Sequence, residues 1–203
     1  MPFAPRRSPL LCLLLVAACQ DRGPSPAAAP PPPPQAPYTS DSARQAELAA
    51  FRAGLTPVRN LEGGEPSREA LVRRFVAALG AQDTAALRRL QLSRAEFAWL
   101  YYPTTPQALP PYDLDPGTLW FTLQAQGSKG LANALGRLGG KAIQFVAERC
   151  EGSASREGEN TVYGPCLVRI VTPPSDTSEG RLFGLVLERG GRWKFVTLSN
   201  ELD

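Results

Sequence analysis

Leu138-Gly139-Gly140-Lys141-Ala142-Ile143-Gln144-Phe145-Val146 is the seam of this chain. Before it, apolar residues recur at helical spacing; after it, the repeat shortens to that of strands. Upstream, Leu71, Val72, Phe75, Val76 and Leu79 share one helix face, with Arg73 and Arg74 outside it. Ser67 opens that helix, and Gly80 is expected to stop it as a left-handed cap. Asp83 caps a second helix carrying Leu87 and Leu90, and Ser93-Arg94-Ala95-Glu96 is a capping box for a third, running to about Tyr102. Pro103 ends it. Asp115-Pro116 pairs an N-cap with the proline favoured at a first helical position, so Leu119 to Gln126 and Leu131 to Leu138 are read as helical. Ser42 to Gly54 reads as a short preceding helix.

Downstream, Ala142 to Cys150, Thr161 to Thr172, Arg181 to Arg189 and Arg192 to Ser199 read as strands. Gly190-Gly191 is a two-residue hairpin signal, and the polar stretches Glu151 to Asn160 and Pro173 to Gly180 supply the other turns. Helices first and strands after give an α+β class: N-terminal helices packed on one face of an antiparallel sheet of about four strands.

Outward from that domain, the chain changes character. Arg6 and Arg7 precede an unbroken apolar run from Leu10 to Ala18. The run is too short for a bilayer span of about 20 residues but suits a signal-peptide core. It ends in Val16-Ala17-Ala18-Cys19, which resembles the lipobox of bacterial lipoproteins. That resemblance implies diacylglyceryl on the Cys19 thiol, cleavage before Cys19, and anchoring by buried acyl chains at about 0.8 kcal/mol per CH2. An ordinary secretory signal cut at Ala-x-Ala is the alternative. Gln20 resembles lipoproteins sent to an outer membrane, facing the periplasm, where the host has two membranes. Residues 19–41 are rich in Pro and Ala, with Pro30 to Pro34 continuous, and read as a semi-rigid tether. The organisation is then signal peptide 1–18, tether 19–41, short helix and linker 42–66, and α+β domain 67–203.

Composition removes several function classes. Among 203 residues there is no histidine, which removes imidazole-dependent nucleophilic catalysis and Cys/His zinc sites in their usual spacings. Without Arg6 and Arg7 the basic excess falls to one residue, so no nucleic-acid partner is expected. No phosphate loop or calcium-loop spacing is present, and neither a cofactor nor a metal is expected.

Ala70-Leu71-Val72-Arg73-Arg74-Phe75-Val76-Ala77-Ala78-Leu79, Gln82-Asp83-Thr84-Ala85-Ala86-Leu87 and Gly191-Arg192-Trp193-Lys194-Phe195-Val196 resemble the opening helices and closing strand of the nuclear transport factor 2-like superfamily. Ketosteroid isomerases and polyketide cyclases belong to it. The resemblance implies a cone-shaped cavity between curved sheet and helices, used by some members for catalysis and by others for binding. The stretch from Tyr102 to Lys141 carries more helix and proline than a minimal member.

Two groups of residues could carry chemistry. Cys150 and Cys166 are read as a structural disulfide of an oxidising compartment, contributing about 3 kcal/mol. Two buried free thiols or a redox pair are the alternatives, although the spacing is not C-x-x-C. Trp99, Tyr102, Tyr112, Asp113, Asp115 and Trp120 form the candidate pocket, around a proline-rich loop. There, one Asp of raised pKa and one Tyr would make a base and an oxyanion donor. The plainer reading makes the aromatics core, Asp115 an N-cap and Asp113 a turn residue. The function expected is a lipid-anchored, non-enzymatic module binding a small apolar ligand or an envelope protein. An isomerase, dehydratase or cyclase using the Asp/Tyr pair is the second class, and a structural envelope assembly module the third.

Overall fold

A computed structural model describes residues 40–174 and 176–202, and the signal, the lipobox and almost all of the tether lie outside the described residues. Helices occupy the first part and antiparallel strands the last, so the class is α+β. Helix α1 (Asp41–Arg52) is capped by the Ser40 side chain, which accepts from the Ala43 amide. Its Phe51 meets Phe97 edge-on, with ring centroids 5.6 Å apart, so this helix shares the domain's core. Helix α2 (Arg68–Gly80) buries Leu71, Val72, Phe75, Val76 and Leu79, the face expected from spacing, and Ser67 caps it. Gly80 does not act as a left-handed cap. The positive φ falls on Gln82, at 56°, and Gly80 is pressed instead against the 139–141 turn. The Gly140 amide donates to its carbonyl at 3.0 Å, and a Cβ on Gly80 would stand 3.0 Å from the Lys141 oxygen.

Asp83 caps α3 (Thr84–Arg89), and Ser93 with Glu96 closes a complete capping box on α4 (Arg94–Glu96). The chain then widens into a π-helical turn, Phe97–Tyr101, and tightens into a 3₁₀ turn, Tyr102–Thr104. The two helical segments expected after Asp115 are one helix, α5 (Pro116–Leu138). Gly127 and Gly130 lie inside it, where propensity alone would break it. Packing explains them: a Cβ on Gly130 would collide with the Leu198 carbonyl oxygen, so only glycine lets α5 lie on the closing segment.

The expected single sheet of about four strands is corrected by the structure to seven strands in two antiparallel sheets among the described residues. The strands are β1 (Gln144–Cys150), β2 (Ser155–Glu157), β3 (Asn160–Tyr163), β4 (Cys166–Thr172), β5 (Asp176–Gly180), β6 (Val186–Arg189) and β7 (Arg192–Phe195). One sheet has the order β1-β4-β5, the other β2-β3-β6-β7. The stretch read as one strand, Thr161 to Thr172, divides at Gly164-Pro165, because Pro165 has no N–H for a ladder and Gly164 takes φ 146°. The two polar stretches read as turns hold β2 and β5. The stretch from Arg181 is extended only from Val186. Gly190 and Gly191 do form the hairpin turn, at φ 57° and 72°.

Strand alternation places the four-stranded sheet between two apolar clusters. Tyr163, Val186, Trp193 and Phe195 face the cluster built on α2 and the three-stranded sheet. Val162, Leu187 and Val196 face the cluster of Phe97, Leu100, Tyr101 and Tyr102. Phe75 joins the first cluster to the closing strand, 5.3 Å from Phe195.

Candidate functional site

The six residues of the candidate aromatic pocket do not converge on one cavity. Tyr102 is 1% exposed, and its hydroxyl donates to the Leu114 carbonyl at 2.9 Å. Burial pushes its phenol up to about 12, so it stays a neutral donor committed to the backbone. Asp115 accepts from the Thr118 amide as the N-cap of α5, and hydrogen bonding at Thr118 holds its carboxyl below the usual range. That is the opposite of the shift a general base near neutral pH needs. Asp113 sits at φ 47°, with its carboxylate 2.6 Å from the Arg44 guanidinium. Tyr112 is exposed, while Trp120 packs on Phe97 with centroids 5.1 Å apart. Trp99 lines a shallow concavity of about 430 Å³ beside α1, with the Arg52 guanidinium 3.9 Å over its ring.

Cys150 and Cys166 are joined in a disulfide. They are directly opposed partners at one end of the β1–β4 ladder. The bond therefore staples the two strands where β1 leaves for the β2–β3 hairpin. Among the described residues no three Cys, Asp or Glu side chains gather in a metal-binding arrangement.

The deepest chemistry lies elsewhere, over β7. Two short pairings flank Lys194 along the outer edge of that strand: Glu65 with Trp193, and Gln91 with Phe195. Lys194 falls in the inward phase of the strand, and is 5% exposed. Its ammonium lies 2.9 Å from both carboxylate oxygens of Glu96, which is itself fully buried. Glu96 also accepts the Glu62 amide on Oε1 and the Ser93 amide on Oε2, each at 2.7 Å. All four lone-pair directions of the carboxylate are therefore used, which is what a buried charge requires. The pair forms the floor of a cleft of about 520 Å³ whose rim carries Glu62, Arg74, Arg88 and Arg89. A second cleft of about 530 Å³ adjoins it, sharing Arg88, Gln91 and Ser93 and reaching Trp120 and Gln124 on α5.

Spacing arguments passed over this cleft. Glu96 was legible as a capping-box partner, and Lys194 as one polar residue between two aromatics. A signal was present in Trp193-Lys194-Phe195-Val196, because a lysine between two core-facing aromatics must project to the other sheet face, and that face is also covered here. Comparison with family models, with curated proteins and with solved structures finds no match for this chain.

Proposed function

We propose that this chain is a lipid-anchored protein of the cell envelope whose folded domain is a non-enzymatic binding module. The observation that carries the compartment is the Cys150–Cys166 disulfide, which suits an oxidising location and agrees with the lipobox Val16-Ala17-Ala18-Cys19. In this reading lipid on Cys19 holds the protein to the membrane, at the outer membrane's periplasmic face where the host has two membranes. Residues 19–41 then hold the domain away from the surface. Among the described residues no helix is long and apolar enough to cross a membrane.

Binding is favoured over turnover by the disposition of the Asp/Tyr candidates. The Tyr102 hydroxyl is spent on a backbone carbonyl and Asp115 on a helix cap, while the clefts around Lys194 open to solvent without either residue. The nuclear transport factor 2-like likeness belongs to the same proposal. Its two matching stretches, α2 and the closing strand, pack together through Phe75 and Phe195. The two-sheet arrangement departs from a single curved sheet around a cone.

Membrane fractionation of cells expressing the native protein and Cys19→Ser tests the anchor. The native protein should sediment with membranes and resist salt extraction, and the variant should move to the soluble fraction. A variant that stays with membranes would remove the anchor from the account.

A further inference from the structure

We infer that the cleft over Lys194 is an oxyanion site, taking the carboxylate or phosphate group of a small soluble ligand. It gives the binding module a ligand class and rests on that reading of the domain, but not on the lipid anchor. Glu96 lines the floor, yet its two oxygens already accept four hydrogen bonds, from Glu62, Ser93 and twice from Lys194. It has no acceptor capacity left for a ligand. Lys194, which lines the cleft, has three N–H donors and spends two on that carboxylate. The Ser93 hydroxyl accepts the Glu96 amide and keeps its own proton to give. Above them, Arg88 and Arg89 are exposed on the last turn of α3, with no ion pair to any described residue. Arg74 at the rim is occupied by Glu65 at 3.3 Å, which leaves Glu62 as the one rim carboxylate without a cation. The cleft thus offers unspent donors, and its four cations, Arg74, Arg88, Arg89 and Lys194, outnumber its three carboxylates, Glu62, Glu65 and Glu96, by one.

The plainer account of Arg88 and Arg89 is that they balance the C-terminal carbonyls of α3. It explains the two arginines and not the buried ammonium that lines the same cleft. A ligand carrying two or three oxygens on one centre can meet that ammonium and a guanidinium together, as carboxylate and phosphate do.

The test is calorimetric titration of the full-length protein, in a non-ionic detergent at low ionic strength, with inorganic phosphate and with citrate. At least one should bind saturably, with Kd below about 1 mM. Preference for phosphate marks a phosphate-bearing ligand, and preference for citrate a carboxylate. Replacing both rim cations, Arg88→Gln with Arg89→Gln, should weaken binding about tenfold or more. Arg156→Gln, which removes an exposed cation on β2 away from the cleft, should leave it within about twofold. Absence of saturable binding by both anions, or an equal loss in Arg156→Gln, overturns the oxyanion site. Either result leaves the anchor standing, because fractionation of Cys19→Ser reads that separately.

Discussion

Glu96 and Lys194 set the sharpest constraint on single residues in this domain. Each is almost fully buried, with side-chain exposures of 1% and 6%, and each neutralises the other. Removing one partner leaves a desolvated charge, so Lys194→Met should lower unfolding stability by about 3–5 kcal/mol. Glu96→Gln combined with Lys194→Met removes both charges while an amide oxygen still accepts a backbone N–H. Urea denaturation of the single and double variants should therefore give a coupling of about 1 kcal/mol or more, with the double variant more stable than Lys194→Met alone. Additive losses would mean that the pair is not energetically linked. Glu157 shows the other outcome of burial. It is 9% exposed, its Oε2 has no hydrogen-bond partner among the described residues, and burial raises its pKa. A folded-state pKa above the unfolded value means that stability is fully present below the ordinary glutamate range. It is lost as pH rises through the raised value. Denaturation midpoints taken from about pH 4 to 8 should thus fall more steeply for the native protein than for Glu157→Gln, which cannot ionise. Parallel profiles would contradict the assignment.

At the scale of elements, the helices were legible where side-chain spacing and caps act locally. Ser67, Asp83, Ser93 and Asp115 all cap the helices they were expected to open. What was not legible depended on contacts distant in sequence. Gly127 and Gly130 signal a break to a local reading, yet they are the residues that let α5 lie against the segment around Leu198. Strand β5 was hidden because Asp176-Thr177-Ser178-Glu179-Gly180 has no apolar alternation; it is an exposed edge strand held by pairing with β4. The candidate aromatic pocket failed to gather for a related reason: helical spacing identified rings, but Tyr102, in the 3₁₀ turn that follows the π-helical one, is buried in the core while Tyr112 stays exposed. The cleft over Lys194 was illegible because it needs both the phase of β7 and the distant capping box of α4. The opposed cysteines allow a prediction at this scale. With a sequence separation of 16 residues, the disulfide should contribute about 3 kcal/mol, so Cys150→Ser with Cys166→Ser should lower unfolding stability by that amount. A loss below about 1 kcal/mol would mean that the β1–β4 ladder holds without its staple.

For the whole molecule, we propose a lipid on Cys19 after the leader is removed, a proline-rich spacer and a domain whose open, donor-rich cleft suits capture of an anionic ligand. The stapled sheet and the buried Glu96–Lys194 pair fix the surface that the cleft presents. Attachment to the membrane turns on the modification at Cys19. Mass spectrometry of the N-terminal peptide of the mature protein, purified from its membrane fraction, tests it directly. The account predicts that the first residue is Cys19 and that its thiol carries diacylglycerol. An unmodified Cys19, or a mature chain beginning elsewhere, would contradict it.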